Sequence, residues 1–446
     1  MANNTEAVAR ESEVTVNKKD FYALEETPPI GKRFLLGLQH MLAMFVGVIT
    51  PPMLIAGAAG LGPSETSFMV SMTLIMSGIV TFVQCKRFGP VGAGLLGVTG
   101  TSFTFVPMAM AAANAGGIPL VLGMAMATAP VEILISRFIK QIKVLFPPLV
   151  TGTVVTLIGL TLIETGMQDF AGGAGAENFG SMENLLLGSF VLTVIIICSR
   201  FGKGLIKLGA IAIGLGAGYL ISIPLGLINF EPVFTEGWLT APQPLYFGLD
   251  FDFAHLLPWI IAFIVTSIES IGDLTAIAET SGEPVDGELH RDRLSRGLLA
   301  EGIGSMISAI FNVMPNTTFS QNIGVIQITK VGSKAVGYIV ALLLLMLGLF
   351  PKFGSIISVM PAPVLGGATL ALFGMIASAG INIVTKDGFS DRTAFIFSIS
   401  LSVGLGITFF PEIAESFPAA IEVLFSSGVA AGAILAVILN LIVPEE

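Results

Sequence analysis

Glu269 and Asp273 are the side chains most able to do chemistry in this chain. They lie in Trp259-Ile-Ile-Ala-Phe-Ile-Val-Thr-Ser-Ile-Glu-Ser-Ile-Gly-Asp273, an otherwise apolar run. Their i, i+4 spacing puts both carboxylates on one face of a helix. Such a pair can accept N–H groups, take up a proton, or do both. A second cluster, Pro315-Asn-Thr-Thr-Phe-Ser-Gln-Asn322 with Gln327 and Thr329, gathers amides and hydroxyls between apolar neighbours. Amides left unpaired at membrane depth cost several kcal/mol each, so this cluster reads as the wall of a binding site. Glu301 follows the basic run Arg291, Arg293, Arg296 closely, and position alone allows it an interfacial salt bridge as readily as a coupling role. His40 sits about one third into the first apolar run and reads first as a structural donor, with Gln39 beside it as the expected partner.

The elements that must hold these residues follow from composition. Of the 446 residues 53% are hydrophobic and 12% charged, and the mean hydropathy is +0.87, more apolar surface than a soluble core could bury. The chain therefore reads as a polytopic, all-α membrane protein. Its 52 glycines and 24 prolines fit close helix packing and broken helices. The net charge of -10 is carried mostly by tails and loops and is uninformative about what is bound. Cys85 and Cys198 form no metal pattern, and no disulfide is expected between them. Residues 1–30 are polar and carry no cleavable signal pattern, so they read as a cytoplasmic tail.

Apolar runs of spanning length lie at about 34–57, 66–85, 91–114, 118–137, 145–166, 183–199, 205–228, 255–278, 295–312, 315–330, 335–350, 355–380, 392–411 and 418–443, giving fourteen expected spans. With the N-terminus inside, all of the 21 basic residues except Lys352 fall on the inner side, the excess that cytoplasmic loops should carry. Both termini are then cytoplasmic. The outer loop at about 229–254 has no basic residue.

Two similarities recur near half the chain length: Thr101-Ser-Phe103 with Thr317-Thr-Phe319, and Phe146-Pro-Pro-Leu-Val-Thr-Gly152 with Pro361-Ala-Pro-Val-Leu-Gly-Gly367. Seven spans per copy would insert the second copy from the opposite side, which predicts two inverted seven-span repeats with the site between them near the midplane. Residues 98–105 and 315–320 are β-branched, aromatic and, in the second case, opened by Pro315, so they are poor helix and fair strand. Short extended pieces are expected in spans 3 and 10, paired with each other and each followed by a half-helix whose first N–H groups point into the site.

Gln321-Asn-Ile-Gly324 followed by Thr329-Lys330 resembles the signature of the nucleobase–ascorbate transporters: glutamine, asparagine, any residue, glycine, four of any, threonine, and a basic residue or glycine. The likeness extends to Gln39-His40, to Gly100-Thr-Ser-Phe103 and to Glu269 with Asp273. It implies fourteen spans, with spans 1–4 and 8–11 forming a substrate-carrying core (residues 31–144 and 255–350). Spans 5–7 and 12–14 (145–228 and 351–446) would form a gate through which members associate as homodimers. Members of this family carry nucleobases with protons or sodium, the core sliding against the gate.

Position by position, the resemblance implies that Glu269 accepts substrate N–H groups, that Gln321 clamps the ring edge with Asn322 in support, and that Phe103 stacks on the ring. The backbone near Phe103 and Phe319, and Ser102 between Thr101 and Phe103, would add polar contacts. Asp273, Glu301 and His40 would serve proton coupling or support the site. The chemistry agrees: a planar base offers adjacent N–H donors and C=O acceptors, which a carboxylate and an amide can match in pairs, and aromatic faces recognise its π-surface. Glutamine at position 321 resembles the xanthine and urate carriers, whereas the uracil branch is similar but has glutamate there. The expected substrate is thus an oxidised purine, xanthine ahead of urate, carried with a proton across a bacterial inner membrane. Similar xanthine carriers usually have aspartate where this chain has Glu301, one methylene longer, and sodium coupling is also known in the family. No cofactor, metal or nucleic acid is expected; the partners are the base, membrane lipid and a second copy of the chain.

Other classes fit less well. An anion exchanger of the same architecture would need positive charge at the site, where no mid-membrane Lys or Arg stands and Glu269 would repel the ligand. An enzyme would need a catalytic constellation, and His40, His255 and His290 have no ligand spacing. A channel would repeat its polar wall around an axis, but here polarity is concentrated in spans 3, 8 and 10.

Overall fold

The computed structural model describes residues 22–139, 147–386, 388–416 and 427–444. Most of the expected N-terminal tail, Lys140 and Lys143, and the first part of the expected span 418–443 lie outside the described residues.

The first long helices are α1 (Ile30–Ala58), which contains Pro51 and Pro52, and α2 (Pro63–Lys86), whose start is closed by Glu65 accepting from the Gly62 N–H at 3.2 Å. The chain then runs into β1 (Thr99–Thr101), one 3-10 turn (Phe103–Phe105) and α3 (Val106–Thr128). Helical geometry fails inside α3 at Gly116 and at Gly117, whose φ of 69° favours glycine, just ahead of Pro119. This break falls between the expected spans 91–114 and 118–137. A short helix, α4 (Pro130–Ile135), follows, and then α5 (Pro148–Phe170), α6 (Met182–Phe201) and the thirteen-residue α7 (Ala210–Ser222).

In the second half α8 (Leu256–Thr280) and α9 (Gly287–Ile310) precede β2 (Asn316–Thr318) and the nine-residue α10 (Gln321–Thr329). After these come α11 (Lys334–Leu349), α12 (Pro351–Ser358), α13 (Ala362–Thr385), α14 (Asp391–Phe409) and α15 (Gly428–Ile442).

Among the described residues eight stretches are long and apolar enough to cross a membrane, or nine if α11 and α12, bent by 77° at Pro351, are taken as one span. The protein is thus a mostly helical, multi-pass membrane protein. Fourteen spans do not follow from helix length and composition. Residues 315–330 are a strand plus a nine-residue helix, and residues 205–228 hold only α7 and one preceding turn. Over 355–380 the chain divides between α12 and α13.

The strands pair antiparallel as Thr99↔Thr318, Gly100↔Thr317 and Thr101↔Asn316. Two further bonds lengthen the ribbon, Phe319 N–H to Val98 O and Ser102 N–H to Pro315 O, both at 2.9 Å. A ribbon this narrow has open edges, which side chains close. Thr99 N–H donates to Thr81 Oγ1 from α2, and Asn316 N–H to Ser305 Oγ from α9, each at 3.0 Å. Extended backbone is tolerated at membrane depth only when buried and paired in this way. Gly100 is required by packing: a Cβ there would stand 2.7 Å from the Phe319 ring.

α5 and α13 pack backbone to backbone. A Cβ on Gly159 would lie 2.4 Å from Ala377 N, and one on Gly380 would lie 2.4 Å from Thr156 N. Small residues permit this approach, which gives helices in lipid their dispersion contact. By contrast, most of α6 and α14 is left unburied, so these two helices lie at the periphery. Near the chain start, Tyr22 and Leu24 are bound to the loop after α10: Tyr22 N–H to Lys330 O and Gly332 N–H to Tyr22 O at 3.0 Å, and Lys334 N–H to Leu24 O at 3.1 Å. Cys85 and Cys198 are both free thiols.

Candidate functional site

A cavity of about 240 Å³ opens between the strand pair with its half-helices and the α5–α13 pair. Its polar wall is formed by Phe103 and Thr104 from the turn after β1, Glu269 from α8, Thr317 and Thr318 from β2, and Phe319, Ser320 and Gln321 at the start of α10. Its other wall is aliphatic: Val155 and Ile158 from α5, and Leu372, Met375, Ile376 and Ala379 from α13.

Most of the polar residues reach the cavity where helix gives way to strand or turn, whereas Glu269 projects from the continuous helix α8. Gln321 is the first residue of α10, where N–H groups have no intrahelical acceptor. Its buried side-chain Oε1 has no protein partner. Glu269 accepts a long hydrogen bond from Thr104 Oγ1 at 3.4 Å. The Phe103 ring is held edge-on to Phe373 of α13, with centroids 6.1 Å apart and planes at 76°. Phe319 is packed over Gly47 of α1 and Gly100. The site therefore presents one carboxylate, one amide with a free acceptor and two aromatic rings, while the hydroxyls of Thr317 and Thr318 on β2 are engaged with Ser270 and Glu301. Among the described residues no Lys or Arg lines it.

Four of the expected contact residues, Glu269, Gln321, Phe103 and Phe319, come together in this wall. Ser102 and Asn322 do not line it. Ser102 is fully buried, with its Oγ 3.2 Å from Thr266 Oγ1 and accepting from Thr104 N–H, so it fixes the turn that presents Phe103 and Thr104. Asn322 is fully buried and pairs through Oδ1 with His40 Nδ1 at 2.9 Å. The partner of His40 is therefore Asn322 on α10 and not Gln39. Adjacent residues on one helix point in different directions, so with Gln321 turned to the cavity Asn322 must turn to α1.

Asp273 and Glu301 also stand behind the wall. Asp273 Oδ2 is buried without a partner. Glu301 is fully buried and makes no ion pair with the nearby arginines; Arg293 is paired with Glu283 and Arg296 with Asp292. Its carboxylate instead accepts from Ser270 Oγ of α8, Thr318 Oγ1 of β2 and Gln84 Nε2 of α2, the last at 3.2 Å. Thr318 lines the cavity as well, so one residue of β2 touches both the cavity and the buried acid.

Sequence reasoning missed Thr104, Gln84, Ser270 and Thr318 as partners of the acids, and it missed the aliphatic wall entirely. Gln84 had a signal, a lone amide near the end of an apolar run. The wall had none, because Val, Ile, Leu and Met on a spanning helix are ordinary anywhere.

Residues 31–413 match the profile of the family described as a permease family, Xan_ur_permease. The xanthine permease XanP of Escherichia coli (strain K12) is 42% identical over 459 residues, covering 100% of this chain and 98% of that one. The chain belongs to the nucleobase–ascorbate transporter family. Within it the permease stands in the xanthine/urate branch, and it is a transporter, not an enzyme. A putative purine permease of Clostridium perfringens is 40% identical, covering 95% of this chain and 93% of that one. A xanthine permease of Bacillus subtilis (strain 168) is 37% identical, covering 92% and 94%.

Among solved structures, the transmembrane domain of a cyanobacterial bicarbonate transporter, BicA, superposes on 93% of the permease and 100% of that chain, with a TM-score of 0.60 at 15% identity. Murine Solute Carrier 26 family member A9, an anion transporter in its inward-facing state, covers 93% and 68%, with a TM-score of 0.61 at 12% identity. At these identities the likeness is one of fold.

Proposed function

We propose that this permease takes up an oxidised purine nucleobase, xanthine ahead of urate, together with a proton. The observation that carries the reading is the pairing of Gln321, whose buried Oε1 lacks a protein partner, with the Glu269 carboxylate in one cavity wall that also holds the Phe103 and Phe319 rings. An oxidised purine presents N–H and C=O groups along its edges. Glu269 accepts N–H groups; the Gln321 amide donates to a carbonyl and accepts from a neighbouring N–H, satisfying the acceptor the protein leaves open. The rings take the π-face. The names of the sequence relatives support the same substrate class. Bicarbonate and other anions, suited to the structural neighbours, fit poorly beside Glu269 in a wall without Lys or Arg.

The proton is taken up among the buried acids around Glu269, Asp273 and Glu301, the last of which Thr318 ties to the cavity. Loaded with base and proton, the core (31–144 and 255–350) shifts as a unit against the gate (145–228 and 351–446), with 229–254 as an outer loop between them. This movement, the fourteen-span inverted-repeat topology and association into a homodimer through the gate are part of the same reading. So is placement in a bacterial inner membrane, which the relatives favour, with both termini in the cytoplasm, which the distribution of Lys and Arg favours.

The test is uptake of radiolabelled xanthine into cells expressing the chain, with unlabelled urate, uracil, guanine and hypoxanthine as competitors, with and without a protonophore. Uptake competed by xanthine or urate and abolished by the protonophore is the expected result. Competition by uracil alone would refute the purine assignment, and sodium-dependent, protonophore-resistant uptake would refute the proton.

A further inference from the structure

Glu132 lies on α4 and is fully buried, yet neither of its carboxylate oxygens has a hydrogen-bond partner. α4 is pressed onto α9 beside Glu301: a Cβ on Gly302 would stand 3.0 Å from Ile133 N and 3.3 Å from Glu132 Cβ. Glu301, the residue before Gly302, is thus the acid neighbouring Glu132. α8, packed against both α4 and α9, carries the further acids Glu269 and Asp273. α3, also against α4, contributes no titratable group, and the arginines of α9 nearest to this point, Arg293 and Arg296, are paired elsewhere.

The two neighbouring acids have opposite surroundings. Glu301 is met by three donors, from Ser270, Thr318 and Gln84, the environment of a carboxylate anion. Glu132 has beside it only the Ser267 hydroxyl. The hydroxyl beside it, Ser267, directs its hydrogen to Phe263 O at 2.6 Å and has only lone pairs to offer. A bare anion buried next to a second anion is not sustainable, whereas a carboxylic acid would donate its hydrogen to Ser267 or to Glu301. We propose that Glu132 and Glu301 form a proton site distinct from the substrate cavity, in which Glu132 holds the coupled proton and Glu301 relays its presence to β2 through Thr318.

The proton comes from water and returns to water, and no bond other than O–H is made or broken. The assignment rests on the proton-coupled reading above and locates the proton on a residue which that reading does not use.

The experiment compares wild type with Glu132→Gln, which keeps shape and removes the titrating group. Wild type should concentrate xanthine, and a protonophore should abolish the gradient. Glu132→Gln should lose accumulation, bringing internal xanthine only to the external level, while still exchanging internal for external label, because exchange needs no net proton movement. Accumulation by Glu132→Gln equal to wild type and equally sensitive to protonophore would overturn the inference and leave proton-coupled purine uptake standing. Sodium-driven accumulation by wild type would overturn both. If the variant does not reach the membrane, the wild-type protein is treated with dicyclohexylcarbodiimide, which modifies protonated carboxyl groups in apolar surroundings, and the peptide holding Glu132 is followed by mass spectrometry. Labelling at Glu132 that declines toward alkaline pH supports the assignment, and absence of label there at every pH overturns it.

Discussion

The strand wall of the cavity and the α5–α13 wall solve opposite problems. In the first, strand and half-helix ends together with Glu269 of α8 bring carboxylate and amide groups to the cavity, and several groups behind them are committed: Asn322 to His40, Ser102 to Thr266, Glu301 to three donors. In the second the helices run unbroken. The α5 hydroxyls Thr153 and Thr156 turn back onto their own helix, to Leu149 O and Gly152 O at 2.6 and 2.7 Å, and only aliphatic groups face the cavity. Recognition needs fixed directional groups, and those belong on a shell whose hydrogen bonds hold them in place. An aliphatic surface has no directional bond to break and can meet the loaded wall in more than one register.

The contrast can be broken or sharpened by substitution. The largest effect should come from Glu269→Gln: replacing an acceptor-only group with one that also donates should reduce xanthine uptake by about 100-fold or more at equal membrane level, since breaking one side of a buried charged pairing costs ~2–5 kcal/mol. Normal uptake by that variant would remove Glu269 as the substrate anchor. Gln321→Glu should weaken inhibition by xanthine and urate by about tenfold, the usual loss when one buried polar match becomes a mismatch. Unchanged inhibition constants for both would end the purine argument.

Gly100→Ala acts on the polar wall without changing a polar group. Its Cβ would displace the Phe319 ring, and a loss of roughly 1–3 kcal/mol from overpacking should appear as a lower melting temperature in detergent together with reduced uptake. Wild-type behaviour in both would mean that the ring is freely displaced. The smallest effect should come from Ile158→Ala on the aliphatic wall, about twofold or less in apparent KM, because one apolar contact distinguishes weakly among flat ligands. A loss as large as that of Gln321→Glu would show that both walls recognise the base alike.

Much of the polar wall was legible in the sequence because polarity at membrane depth is rare. Glu269, Gln321 and the extended residues 98–105 and 315–320 stood out against apolar neighbours, and the strands do pair. What lay across space was not legible. That His40 bonds Asn322 and not Gln39, and that Glu301 is met by Ser270, Thr318 and Gln84 and not by Arg296, depend on helix rotation about axes that local sequence does not set. Glu132 escaped notice because it lies just before Arg137 and Lys140, where an acid reads as an interfacial charge. The break at Gly117 and the 77° bend at Pro351 fall between expected spans, 91–114 and 118–137 in the first case and 335–350 and 355–380 in the second, because Gly and Pro interrupt the apolar runs there.

The β1–β2 ribbon also fixes an order of assembly. Thr99–Thr101 leave the ribosome long before Asn316–Thr318 exist to pair with them, and until then the edge of β1 carries N–H and C=O groups that lipid cannot satisfy. The first half of the nascent chain must keep this edge sheltered or hydrated while the later helices are inserted. The binding site is thus among the last features to form, and an amino-terminal fragment ending before β2 would have its helices but no site.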